Sequence, residues 1–343
     1  MPSSNVHRDV TRKVYEILCN NFHEFRERME WLCDLDINEV VEYSVDPDRV
    51  PDKVHAVMET CYCGGKEVDI IYCQMPDFDT ESTSRKRRCY VKEKKQMRSA
   101  RHHGGINVTL WKYYLLSAAK FYIRGDSTKS CWALGRALHY AQDGVLSRNF
   151  TVEGVADTYE SDVHDVVERA LDKYVYDYLR RTDVTNLVKE GVDVALNEKP
   201  MAVDDVDRVF EPTTSPTEIA ENVIRATAYT YVKFFNVVNY IKTNKERILR
   251  NVRRMKLISF AGFGGILASI ALAVLSAYSH PFSLFSTLPI LLPSTALLIT
   301  WPLYRSIKLG ELYVLDVVDK ESILTHRARR GVNIITETYQ PVI

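Results

Sequence analysis

The stretch LISFAGFGGILASIALAVLSAY, Leu257 to Tyr278, contains no charged residue. At the rise of an α-helix, such a run crosses a bilayer hydrocarbon core of roughly 30 Å. After a short break at SHPF, a second uncharged run, SLFSTLPILLPSTALLITWPLY, continues to Tyr304. Pro289, Pro293 and Pro302 interrupt it, but proline is better tolerated in membrane helices than in soluble ones. Trp301 and Tyr304 are residue types favoured at the membrane–water interface. A buried helical hairpin in a soluble core is the competing reading. Core helices seldom lack charge over such a length, so a two-span transmembrane hairpin is expected over 248–305.

The flanks orient the hairpin. KTNKERILRNVRRMK precedes the first run, and Arg305, Lys308 and HRARRG follow the second, while the intervening loop has no Lys or Arg. The positive-inside rule places both termini, and everything before Leu257, in the cytoplasm. MPSSNVHRDV has no apolar core and does not read as a secretory signal. Seven cysteines is an odd number, and the thiols are expected to be reduced, or partly metal-bound, in a cytosolic setting. Lys plus Arg equals Asp plus Glu at 45 each, so no global charge favours nucleic acid.

The 343-residue chain divides on this basis into a helical domain, 1–247, the hairpin, 248–305, and a cytoplasmic tail, 306–343. VTRKVYEILCNNFHEF and TLWKYYLLSAAKFYIRGD carry apolar residues at three- and four-residue spacing. STKSCWALGRALHYAQDG opens on Ser127, a candidate N-cap, and stops at Gly144. The long run from Ser215 to Lys256 is acidic in its first turns and basic in its last, matching the helix dipole, and is expected to continue into the first span. One segment breaks the helical pattern: 61–101 has β-type runs, a Gly-Gly turn and Cys61, Cys63, Cys73 and Cys89. It reads as a small Cys-rich β insertion. A structural zinc on those four cysteines is one reading, although their spacing is not that of a standard finger; free cysteines in a hairpin is the other. Its run RKRR, with Lys92, Lys94, Lys95, Arg98 and Arg101, suits anionic lipid, nucleic acid or a solvated face.

The chemistry-bearing residues lie in the middle of the chain. In ALHYAQD, His139 and Asp143 stand four apart, and in HDVVE so do His164 and Glu168. Residues at i and i+4 share one helix face, so each pair can present an imidazole and a carboxylate to one ion. Either pair alone is more often a surface or capping pair. His7 heads the first amphipathic helix, Asp48 lies in the turn-rich SVDPDRVPDK, and His102 and His103 sit beside two glycines in RHHGG.

In this order the residues resemble the zinc-dependent phospholipase C family, whose relatives include single-strand-specific zinc nucleases. The family signature is LG, then H-Y-x-x-D, then H-x-x-x-E; here these are LGRALHYAQD and HDVVE. An early His (His7), an Asp after Pro in a loop (Asp48) and a further His (His103 or His102, with His55 the weaker match) complete a likeness that covers roughly 6–176. It implies an all-α bundle around a cluster of two or three zinc ions. By the same likeness Asp48, His103, His139 and Asp143 would hold one zinc, His164 and Glu168 a second, and His7 with Asp143 a third. Where the family has an N-terminal Trp as a metal ligand this chain begins with Met, and the ligand His six residues after the Asp is here Asn149.

The implied activity is metal-assisted phosphodiester hydrolysis by an activated water, with Asp48 as general base. There is no Gly-x-Ser-x-Gly and no P-loop. A tether of two spans favours a phospholipid headgroup at the inner leaflet as substrate. A nuclease is the second expectation, and a catalytically decayed membrane scaffold with structural zinc the third. Tyr140, Phe150 and Tyr159 beside the signature suit either substrate.

Overall fold

The computed structural model describes residues 4–21, 35–45, 47, 55–63, 66–74, 89–96, 105–145, 149–152, 155–158, 164–201, 215–279 and 288–318. At 4, 21, 55–63, 66–74, 89–96, 105–110, 149–152, 155–158, 164–170, 275–279 and 288–289 only the backbone is described. In chain order the elements are α1 (Ser4–Asn21), α2 (Ile37–Tyr43), β1 (His55–Cys63), β2 (Lys66–Gln74), β3 (Cys89–Gln96), α3 (Gly105–Ile123) and α4 (Ser127–Gly144). There follow β4 (Asn149–Val152), β5 (Val155–Thr158), α5 (His164–Arg181), α6 (Thr185–Asn197), α7 (Pro216–Ser279), α8 (Leu288–Leu298), α9 (Thr300–Ile307) and α10 (Leu309–Val314). The described residues are mostly helical. They fall into two compact units, one within Met1–Asn239 and one within Tyr240–Ser322.

In the first unit, α1 buries Val6, Val10, Val14 and Leu18 at helical spacing. Polar His7 and Thr11 are buried beside them, which an apolar stripe alone does not explain. α3 and α4 pack against each other across a short turn. That turn is a Schellman motif: Asp126 N donates to Phe121 O and Gly125 N to Tyr122 O, both at 3.0 Å. Gly125 sits at φ +80°, where only glycine is unstrained. The N-cap of α4 is not Ser127. Asp126 takes the role, its Oδ1 accepting from Lys129 N at 3.1 Å; a carboxylate there also complements the helix dipole. α4 is then buried almost throughout, from Ser130 to Asp143. α2 crosses it at Gly135, where a Cβ would stand 2.6 Å from Val40 O and 2.7 Å from the Tyr43 backbone. The first part of α7 contributes Ile219, Val223, Val232, Phe234 and Val238 to the core, and the Trp111 indole donates to Thr230 Oγ1 at 3.0 Å.

β1, β2 and β3 form an antiparallel sheet in the order β2-β1-β3. Its register sets Cys63 opposite Cys89 but Cys73 opposite Ala56, at the other end of β1. The side chains of Cys61, Cys63, Cys73 and Cys89, and with them a zinc on the four, lie outside the described residues, as does the RKRR run. Cys19 is disulfide-bonded, against the expectation of reduced thiols; Cys131 is free and buried.

In the second unit the expected continuity holds: α7 runs unbroken into the apolar stretch. Among the described residues one helix, over Pro216–Val274, is long and apolar enough to cross a membrane, and its most apolar 18 residues are only 11% buried. Leu257, Phe260, Phe263, Leu267, Ile270 and Val274 are all exposed, the reverse of a soluble core helix. The second uncharged run differs from the expected span. It forms two helices, α8 with Pro293 inside it and α9, separated at Ile299.

Candidate metal centre

His139 and Asp143 lie one turn apart on α4, both buried, with His139 Nε2 3.1 Å from Asp143 Oδ2. α1 brings His7 to the same point: its Nε2 is 3.5 Å from Asp143 Oδ1. The two imidazole centroids are 4.2 Å apart. One ligand atom from each of the three residues lies within 4.8 Å of the others.

The surrounding hydrogen bonds specify which ring nitrogens face inward. His139 Nδ1 meets the main-chain oxygen of Ser44 at 2.9 Å. A carbonyl only accepts, so Nδ1 carries the proton and Nε2 of the neutral ring carries the lone pair. That carbonyl is delivered by α2, whose close crossing at Gly135 seats Ser44 one turn further along α4. For His7 the chain of logic is longer. Thr227 donates its hydroxyl to Val223 O at 2.7 Å, so its oxygen is left to accept. Gln142 Nε2 donates to Thr227 Oγ1 and to Thr11 Oγ1, each at 3.1 Å. Both amide hydrogens are thereby used, and Gln142 Oε1 faces His7 Nδ1 at 2.5 Å. His7 Nδ1 therefore donates, and its Nε2 lone pair points at Asp143. That Nε2 is buried and has no hydrogen-bond partner.

Burial, reinforced by the neighbouring His139, lowers the His7 pKa to about 3 against the pull of Asp143. The ring is neutral near pH 7. The neutral His7 ring aiming its Nε2 lone pair at the buried Asp143 side chain is an unfavourable arrangement by itself. A cation at the focus turns each contact into an attraction. Two ligands about 2.0–2.1 Å from a tetrahedral ion stand roughly 3.3 Å apart, close to the 3.1 and 3.5 Å found here. Two imidazoles and one carboxylate make a donor set that suits zinc, with a fourth position open, and also suits ferrous iron. The residues present therefore fit a divalent transition metal.

Of the residues singled out in the sequence, His7, His139 and Asp143 come together as one group. The resemblance assigned His7 with Asp143, and His139 with Asp143, to separate zincs; here the three converge. His164 and Glu168 occupy the first turns of α5 and share one side of that helix, but their side chains lie outside the described residues. The same holds for the side chains of Asn149 in β4 and His55 in β1. Asp48, His102 and His103 lie outside the described residues altogether. Sequence reasoning missed Ser44, Thr11, Gln142 and Thr227, the groups that orient the ligands. The signal was present: Thr11 follows His7 by one turn on a Val-lined helix, and Gln142 stands beside Asp143 on a helix otherwise apolar around it. No protein-family model, no curated protein and no solved structure matches this chain.

Proposed function

We propose that the protein is a membrane-tethered, zinc-dependent phosphodiester hydrolase of the zinc phospholipase C type, with a phospholipid headgroup as its first-choice substrate. The observation that carries this reading is the buried His7–His139–Asp143 group with both Nδ1 positions committed to protein acceptors. The same three residues belong to the motifs on which the family resemblance rests. A divalent metal in such a site supplies Lewis acidity and a water acidified towards neutral pH. The chain's own part is to hold that site dry and fixed. α2 and Gln142 set the two imidazoles, and α4 sets the carboxylate between them. Asp48, in the sequence that follows α2, is the proposed acceptor of the water's proton. His164 and Glu168, and one of His102 and His103, are proposed to complete a second metal position.

The tether is proposed to be the two-span hairpin, with both ends cytoplasmic. Several features support it. Ile299 N still donates to Thr295 O and Leu303 N to Ile299 O, so the helical hydrogen bonding runs on from α8 into α9. From 288 to 307 that is long enough to cross roughly 30 Å. Gly262 and Gly265 of α7 pack where a Cβ would meet Leu298 N at 2.5 Å, and the Ser294 side chain respectively. Ser259 Oγ donates to Leu298 O at 2.6 Å. Small residues inward and large apolar ones outward is the membrane pattern.

The test is metal content and hydrolysis by the full chain in detergent micelles. The expected result is at least one zinc per chain and cleavage of phosphatidylcholine, both lost in His139→Ala with the helical circular dichroism retained. His164→Ala is expected to abolish cleavage as well. Iron in place of zinc would change the metal assigned to the site. Faster cleavage of single-stranded DNA than of lipid would make the protein a nuclease. A chain without any bound metal would leave His139–Asp143 as a structural ion pair and sink the hydrolase reading.

A further inference from the structure

We propose that the basic face of α7 just ahead of its apolar stretch binds the phosphate headgroups of anionic lipids. This rests on reading that stretch as membrane-spanning. Residues 242–256 carry seven cations (Lys242, Lys245, Arg247, Arg250, Arg253, Arg254, Lys256) and one acid, Glu246. All seven cations are exposed. The buried side of this segment is instead Ile241, Ile248 and Val252. At 100° per residue those three fall within one narrow sector; Arg247, Arg250, Arg253 and Arg254 lie on the face away from it, and Lys242, Lys245 and Lys256 on its flank.

Their height follows from the helix. Arg253, Arg254 and Lys256 stand within about 6 Å of Leu257 along the axis, Arg250 at about 10 Å and Lys242 at about 22 Å. The Debye length at physiological salt is about 8 Å. Only the last turn and a half therefore feels a charged surface strongly. An aromatic pair marks the level of that surface. Lys256 Nζ lies 5.1 Å from the Trp301 ring, and Trp301 stacks on Tyr304 at 6.2 Å. Lys with Trp and Tyr is the interface combination. A nucleic acid would have to be recruited from solution. The bilayer is the one polyanion that the chain itself holds against these side chains, at high effective concentration.

The experiment is electron spin resonance of spin-labelled lipids around the full chain reconstituted in phosphatidylcholine vesicles. Labelled phosphatidylglycerol is expected to associate several-fold more strongly than labelled phosphatidylcholine, at roughly fivefold per engaged cation as an upper limit. Arg253→Gln/Arg254→Gln/Lys256→Gln should remove the preference. Lys242→Gln/Lys245→Gln/Arg247→Gln should keep most of it, and Arg253→Lys/Arg254→Lys should keep it too. Should the first triple variant fail to fold, the wild type decides: the preference must shrink as salt rises from 50 to 500 mM. Equal association of the two lipids, equal loss in both triple variants, or a salt-independent preference overturns the proposal. Displacement of labelled phosphatidylglycerol by a single-stranded oligonucleotide also overturns it, in favour of nucleic acid. Failure of the membrane reading is seen separately, as a chain that does not float with pure phosphatidylcholine vesicles.

Discussion

Gln142 does for His7 what the Ser44 carbonyl does for His139: it accepts a hydrogen bond from Nδ1–H and leaves Nε2 facing Asp143. Orienting partners of this kind are typically worth 10–100-fold in metal affinity. Gln142→Met is expected to weaken zinc binding of the full chain by that factor in a chelator competition. Gln142→Glu keeps an acceptor on His7 Nδ1 and should retain more affinity than the methionine variant. Equal loss in both would mean that the side chain only fills space. His7 also predicts an acid sensitivity. Its folded value of about 3 lies below the unfolded 6.5, so between these pH values the unfolded chain binds the extra proton. Stability of the metal-free protein therefore falls as pH drops from about 6.5 towards 3, by at most about 1.4 kcal/mol per pH unit. Urea midpoints of the chelated chain at pH 7, 6 and 5 should drop more steeply for the wild type than for His7→Gln. At this scale the ligands were legible, because i,i+4 spacing joins His139 to Asp143 on any helix. The tautomer relay was not, because Thr11, Gln142 and Thr227 lie on three helices whose packing no local pattern encodes.

The crossing of α2 over α4 depends on one missing side chain. Gly135→Ala forces a Cβ to within 2.6–2.7 Å of α2 backbone atoms, which a main chain cannot relieve cheaply. The expected cost is about 1–3 kcal/mol in chemical unfolding, together with weaker metal binding as the Ser44 carbonyl shifts off His139. Gly144→Ala is the control: nothing lies within 4 Å of its Cβ, and its stability should change by less than about 0.5 kcal/mol. A second contact ties α7 to the end of α6. Lys233 is fully buried and pairs with Glu198 at 2.5 Å, with Lys199 O at 3.1 Å, while Tyr229 OH donates to Glu198 at 2.7 Å. Glu198→Gln strands the ammonium and should cost about 2 kcal/mol. Adding Lys233→Met should recover part of that loss, since methionine brings no buried charge to be paired. The helices themselves were readable from apolar spacing, and the continuity of α7 from the absence of any further proline between Pro216 and Ser279. The cap at Asp126 was misassigned by one residue because Asp and Ser are both good caps and only the turn geometry chooses between them.

At the scale of the whole molecule one structural and one sequence signal disagree about which side of a membrane the candidate metal centre would face. The Cys19 disulfide favours an oxidising compartment. The distribution of Lys and Arg favours the cytoplasm: seven cations over 242–256 precede the apolar run and Arg305 and Lys308 follow the second, against none between the runs. The charge bias acts while the chain is being inserted and decides its orientation then. A disulfide forms only afterwards, and such a bond does not reverse a helix. The charge bias is therefore the stronger term, and both termini are expected in the cytoplasm with the loop around Ser283 outside. Cysteines introduced as Ser3→Cys, Ser283→Cys and Ser322→Cys, each compared with the parent chain, report this in intact cells treated with a membrane-impermeant maleimide. Added labelling at Ser283→Cys alone is the expected pattern. Labelling at Ser3→Cys and Ser322→Cys but not at Ser283→Cys would invert the protein and move the candidate metal centre to the outer face, in line with the disulfide. Labelling at only one of the two ends would mean that the run from 288 to 307 turns back without crossing, leaving α7 as the single span.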